Sequence, residues 1–246
     1  MQATDRGATP RVSVVVPLYN EEENVAALVE ELAAIRPQVP GLEAILVDDG
    51  STDGTWQEIC REAEQFPWVR GIRTGRNRGQ SAALLLGLAE AKGEIIVTMD
   101  GDLQNNPADL PLLLERLAEC DVVCGYRVRR RDTWSRRLAS RLANAIRSRL
   151  TGDGIRDIGC TLKAFRAECA KDLPPLDGVH RFMPCYFRLH GRRILEVPVD
   201  HRPRRHGASK YTNLKRLPRA LRDLMGFLWY RRRFLKPPDP AIVSRT

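Results

Sequence analysis

Asp100-Gly101-Asp102-Leu103-Gln104 gathers the most chemistry into the fewest residues of this chain. Two carboxylates one residue apart, followed by an amide oxygen, make a hard-oxygen donor set suited to Mg²⁺ or Mn²⁺. Magnesium usually takes one or two carboxylates and completes its shell with water and substrate phosphates. The plainer reading of the same residues is an Asp- and Gly-rich turn. A second acidic group, Asp48-Asp49-Gly50-Ser51, can accept hydrogen bonds from a nucleobase N–H or from ribose hydroxyls, or can simply turn the chain. A third, Pro17-Leu18-Tyr19-Asn20-Glu21, offers a ring to stack on a base and a carboxylate to bond it, with Asn20 placed to cap a helix.

Each group follows a short apolar run. Val12–Val16, Ala44–Val47, Val69–Arg73, Ile95–Met99 and Asp121–Cys124 read as buried strands. Helical patterns separate them: one carries Val25, Leu28, Leu32 and Ile35, and others cover Thr55–Gln65, Ser81–Lys92 with Gly93 as a stop, and Pro107–Leu117. Strand and helix alternating over short connections predict an open parallel α/β sheet, whose ligands sit at the carboxyl ends of the strands. All three acidic groups fall at those ends. Further on, Arg129–Leu150 is basic and helical, Ile158–Phe165 and Ile194–Val199 read as strands, and Phe182–His190 and Leu214–Tyr230 as helices.

The chain has 246 residues and a net charge of +9, unevenly spread. Residues 1–124 carry 10 Lys/Arg against 21 Asp/Glu, and residues 125–236 carry 29 against 9. The second half is therefore built to meet a polyanion: nucleic acid, anionic headgroups or phosphorylated substrates. The six cysteines show no CxxC spacing, so reduced thiols are expected rather than zinc ligands. Residues 1–10 lack an apolar run and are expected to be a flexible N-terminus without a leader, and no stretch approaches the roughly 20 apolar residues of a spanning helix.

The segments VSVVVPLYNEEENV (12–25), ILVDDGSTDGT (45–55), RNRGQSAALLLGL (76–88) and VTMDGDLQNNP (97–107) together resemble the family 2 glycosyltransferases with a GT-A fold. GYR (125–127), DIGCTLKAFR (157–166) and HRPRRHGASKY (201–211) are similar to the dolichyl-phosphate mannose synthase and polyprenyl-phosphate glycosyltransferase branch. The likeness covers residues 11 to about 216. It implies a GT-A catalytic domain over 11–216, with a nucleotide-binding half (11–124) and an acceptor-binding half (125–216) that includes an amphipathic helix at 132–150. A basic helix and tail without a transmembrane span would follow at 217–246.

The resemblance also implies site residues. Pro17, Tyr19 and Glu21 would line the nucleotide pocket with Val47 and Asp49, and Asp100, with Gly101 beside it, would contact ribose or diphosphate. Asp102 and Gln104 would hold Mg²⁺ or Mn²⁺. Arg127, Lys210 and Arg216 would bind phosphates of donor and acceptor, with Arg205 or His206 helping to close their loop. Asp102 and Arg127 would serve catalysis by stabilising charge on the leaving diphosphate, and Asp157 would orient the acceptor or act as base, the alternative being a salt-bridged carboxylate. The implied reaction is inverting transfer from a nucleoside-diphosphate sugar (GDP-mannose first, a UDP-sugar second) to a dolichyl- or undecaprenyl-type phosphate.

Trp134, Leu138, Leu142, Ile146 and Leu150 form an apolar stripe among arginines, as an interfacial helix requires. With the resemblance, this places the enzyme at the cytoplasmic face of the cell membrane or of an internal membrane, peripheral on anionic lipid. It would be anchored by this helix, by Leu221–Arg233 or by a membrane partner subunit. Two other readings compete. One is a soluble family 2 transferase acting on a glycan or other hydroxyl acceptor, which needs Asp157 as base. The other is a basic nucleic-acid-binding protein, disfavoured because the aromatics are not interleaved along the basic segments as stacking platforms and no recognisable binding motif is present.

Overall fold

The computed structural model describes residues 11–128, 147–203 and 213–235. Seven strands form one sheet: β1 (Val12–Leu18), β2 (Leu42–Asp48), β3 (Val69–Arg73), β4 (Ile95–Thr98), β5 (Val122–Arg127), β6 (Lys163–Arg166) and β7 (Ile194–Val199), in the spatial order β3-β2-β1-β4-β6-β5-β7. Parallel pairing joins β3, β2, β1 and β4, and also β5 and β7. Only β6 runs antiparallel to its neighbours, β4 and β5.

Helices cover both faces, which is why β1 and β2 are apolar with hardly a break. Val14, Val16, Ala44 and Leu46 point to one layer, packed by α1 (Glu22–Ile35), α2 (Thr55–Gln65) and α4 (Leu110–Arg116). Val15, Ile45 and Val47 point to the other, packed by α3 (Gln80–Glu90), α5 (Val179–Leu189) and α6 (Asn213–Arg233). The mostly parallel α/β sheet expected from the sequence is the architecture observed.

Some local expectations are corrected. Asn20 does not cap α1: it sits at φ +52°, its amide oxygen accepts from the Thr52 N–H at 2.9 Å, and Glu21 takes the cap position. The strand expected over 158–165 begins only at Lys163, because Asp157–Cys160 is a turn closed by the Cys160 N–H on the Asp157 carbonyl. The helix expected from Pro107 opens as a 3-10 turn, Pro107–Asp109, before α4. α3 ends at Glu90 without using Gly93 as its stop. The basic helix at 132–150 lies outside the described residues except for 147–150, which are helical.

Candidate active site

The acidic loops converge at the carboxyl edge of the sheet. After β1, the Asn20 N–H donates to Ser51 Oγ (2.9 Å) and the Glu21 N–H to Thr55 Oγ1 (2.8 Å), so the 19–21 loop is stitched to the 51–55 loop. Tyr19 and Glu21 are both half-buried there, and Glu21 accepts from the Asn24 amide at 2.6 Å. Pro17 lies beside Val47 in the β1–β2 register. The Val47 side chain is fully buried in the layer under α3, so the face it turns to a ligand is backbone.

Asp48 and Asp49 are both buried and both engaged. Asp48 accepts from the Ser51 N–H at 2.9 Å and pairs with Arg73 at 3.0 Å. The Asp49 carboxylate accepts from the backbone N–H groups of Arg78 (2.8 Å) and Gly79 (2.7 Å), which shapes the 76–79 loop entering α3. Beside these loops lies a cavity of about 380 Å³ lined by Gly50, Ser51, Arg73, Thr74 and Gly75.

The Asp100–Gln104 loop occupies the centre of the edge. Gly101 is required by close approach: a Cβ there would lie 2.1 Å from Leu18 Cδ2. Leu103 is fully buried at φ +60°, an uncommon conformation for a branched residue, held because the side chain is locked in the core. Asn105 braces the loop from behind, its amide oxygen accepting from the Asp100 N–H (3.1 Å) and from Thr161 Oγ1 (3.0 Å). Burial, and then the neighbouring Asp102 carboxylate, push Asp100 up to about 6, against the pull of Thr161, Lys163 and Arg127. Asp100 also accepts from the Gln80 amide at 2.8 Å.

Asp102 is buried, and its Oδ1 accepts from the Gln104 N–H at 3.2 Å. The Gln104 amide nitrogen donates to the Arg202 carbonyl at 3.3 Å. Two crowded carboxylates and an amide oxygen fit a hard divalent ion. Among the described residues no three His, Cys, Asp or Glu come together as a metal cage.

Arg127, the last residue of β5, meets Asp157 through two parallel bonds, Nε–Oδ2 at 2.7 Å and Nη2–Oδ1 at 2.8 Å, and its N–H adds a third at 3.3 Å. Both oxygens of Asp157 therefore face a guanidinium, the salt-bridged alternative raised by the sequence. The start of the HRPRRHGASKY segment lies against the same loop: the Arg202 N–H donates to the Gln104 carbonyl at 3.0 Å, and its guanidinium reaches Glu31 and Asn106. Arg205, His206 and Lys210 lie outside the described residues, and Arg216 is described only as a position in α6.

Four residues at this edge were not singled out from the sequence. Gln80, Asn105 and Thr161 fix Asp100 and its loop. Lys163 is fully buried, and its ammonium donates to the Cys160 carbonyl and pulls on Asp100. All four sit inside quoted motifs.

The family model described as Glycosyl transferase family 2 matches residues 13–173. Dodecaprenyl-phosphate galacturonate synthase of Rhizobium johnstonii is 39% identical over 236 residues, covering 92% of this chain and 69% of that protein. An undecaprenyl-phosphate 4-deoxy-4-formamido-L-arabinose transferase of Edwardsiella ictaluri is 40% identical over 218 residues, covering 87% of this chain and 66% of that protein. The chain thus spans about two thirds of the length of these relatives. Among solved structures, mannosyltransferase PcManGT from Pyrobaculum calidifontis, in complex with GDP-Man and Mn²⁺, is 26% identical with a TM-score of 0.67, covering 94% of this chain and 67% of that one. Glucosyl-3-phosphoglycerate synthase from Mycobacterium tuberculosis gives 0.68 at 22% identity, covering 93% and 82%, a likeness of fold.

Proposed function

We propose, since the chain belongs to glycosyl transferase family 2, that it moves a sugar from a nucleoside-diphosphate donor to a polyprenyl phosphate. The observation that carries the reading is the meeting, at one sheet edge, of the Asp100–Gln104 loop with the Arg127–Asp157 pair. The curated relatives named above are transferases or synthases of lipid-phosphate sugars, which supports the acceptor. Their names give galacturonate and a formamido-arabinose, whereas mannose is named for a structure at lower identity. A sugar of the former kind therefore moves ahead of mannose in our reading.

Asp102 and Gln104 would hold Mg²⁺ or Mn²⁺, an ion that neutralises charge building on a diphosphate leaving group. The chain's own residues do the remaining work. Pro17, Tyr19, Glu21 and the Val47 backbone would form the floor of the nucleotide pocket, and Asp49 would shape its wall through the 76–79 loop. Asp100, with Gly101 letting its loop approach β1, would meet the ribose or diphosphate. Arg127 supplies a fixed positive charge for a phosphate. Asp157 positions that charge: with both oxygens on the guanidinium, it is poorly placed to take a proton, and an acceptor phosphate already ionised near neutral pH needs no strong base. Lys210 and Arg216 would bind phosphates of the donor and acceptor.

The test is a transfer assay with Mn²⁺ or Mg²⁺, a short-chain polyprenyl phosphate and a panel of labelled nucleotide sugars. Label entering the organic phase, lost with EDTA, supports the reading and names the donor. Donor hydrolysis without lipid product would discard the acceptor, and glycan labelling would favour the hydroxyl-acceptor alternative.

A further inference from the structure

The chain that follows β7 is laid along the Asp100–Gln104 loop. The Asp200 N–H donates to Asp109 Oδ2 at 2.9 Å, His201 pairs with Asn105 in an isolated antiparallel bridge, and the Arg202 N–H donates to the Gln104 carbonyl at 3.0 Å. The Gln104 side chain returns a bond to the same residue, its amide nitrogen donating to the Arg202 carbonyl at 3.3 Å. One residue thus holds Gln104 by main chain and side chain together. Outer partners of this kind orient the side chains that meet a metal.

Arg202 is itself held. Its guanidinium donates through Nη1 to Glu31 Oε1 on α1 at 2.7 Å and through Nη2 to Asn106 Oδ1, the oxygen that also accepts from the Ala108 N–H and caps the turn at Pro107–Asp109. The Arg202 and Glu31 side chains are only 23% and 20% exposed, so the pair is shielded from the screening that weakens surface pairs. A planar fork reaches two acceptors on different elements, which the point charge of a lysine does not reproduce. Leu28, Val29 and Leu32 bury α1 in the core around Glu31. The clamp therefore ties the Gln104 end of the loop to a rigid helix, while Leu18 and Asn105 hold the Asp100–Gly101 end.

We propose that Arg202, seated on Glu31, is a positioning residue for the divalent cation, setting its affinity through Gln104 without touching it. This role presupposes that Asp102 and Gln104 hold the ion, as proposed above.

Mn²⁺ binding is read by electron paramagnetic resonance with uridine or guanosine diphosphate present, for wild type, Glu31→Gln, Arg202→Gln and Arg202→Lys, each with and without Gln104→Ala. Glu31→Gln removes a negative charge and Arg202→Gln a positive one. Charge acting through space alone would weaken Mn²⁺ binding in the first and tighten it in the second. Positioning weakens it in both, by about threefold to tenfold and by no more than Gln104→Ala does, because Asp102 remains. Arg202→Lys should fall between wild type and Arg202→Gln. With Gln104→Ala in place, neither substitution should weaken binding further, since the side chain they orient is gone. Opposite shifts in the two variants, wild-type affinity in both, or an equal loss with and without Gln104 would overturn the proposal. Thermal midpoints in EDTA check the folding, and should Arg202→Gln fail to fold, Glu31→Gln, which keeps the shape, decides the matter in both backgrounds. Asp102→Asn separates the two readings. If it loses Mn²⁺ while the Glu31 and Arg202 variants keep it, the clamp alone fails. If it keeps Mn²⁺ as well, the cation site falls and the clamp falls with it.

Discussion

The guanidinium of Arg127 and the carboxylate of Asp157 grip each other in a fork, at 2.7 and 2.8 Å, across thirty residues of sequence. Such a pair fixes the cation's direction as well as its charge. Asp157→Asn keeps the shape and removes the ionic half, so we expect transfer to fall by about 10- to 100-fold, largely in KM for the phosphate-bearing substrate. A loss confined to kcat, with the acidic limb of the pH–rate profile gone, would instead make Asp157 the proton acceptor.

Asp102→Asn should abolish metal-dependent transfer with the fold intact by circular dichroism. Mn²⁺ binding, read by electron paramagnetic resonance in the presence of nucleoside diphosphate, should weaken by about tenfold or more, and Gln104→Ala should weaken it less. Unchanged Mn²⁺ binding in Asp102→Asn would remove the aspartate from the metal site.

Gly101→Ala forces a methyl group onto Leu18, at a distance no relaxed contact allows. We expect a loss of about 1–3 kcal/mol, seen as a lower thermal midpoint, because Leu18 is itself locked in the core. An unchanged midpoint would mean that the loop moves freely and positions nothing.

His180 should set part of the acid stability. Burial, and then Arg181 and Lys163, push its imidazole down to about 3, with Asp177 pulling weakly the other way. Between pH about 3 and 6.5 the folded protein therefore binds fewer protons at this ring than the unfolded chain does. Stability from the neutral ring is complete above pH about 6.5 and declines as the pH falls through that window. His180→Gln, which can still meet Ser81, should flatten the acid side of the midpoint-against-pH curve, and the wild-type ring resonances should hold still from pH about 5 to 8. A ring titrating near its usual value would refute this.

The sequence disclosed the elements whose physics is local. Continuous apolar runs gave β1 to β5, with β3 matching Val69–Arg73 residue for residue, and Thr55–Gln65 emerged as α2. The acidic loops were legible in position because each follows a continuous apolar run. What stayed hidden depends on partners distant in sequence. Asn20 looked like a cap because its contact with Thr52 lies 32 residues away. Asp49 looked free to meet a base, yet it spends itself on the backbone at 78 and 79. Lys163 was unreadable as a site residue because its place beside Asp100 follows from β6 pairing with β4, a non-local fact.

The antiparallel strand β6 sits between β4 and β5, beside the strand that precedes it in the chain. The chain thus leaves the sheet at Arg127 and returns next to its point of departure, with Arg127 and Asp157 buttoning the excursion shut at its base. A change in that pair would therefore be felt in both strands at once, at the end of β5 and in the turn that leads into β6.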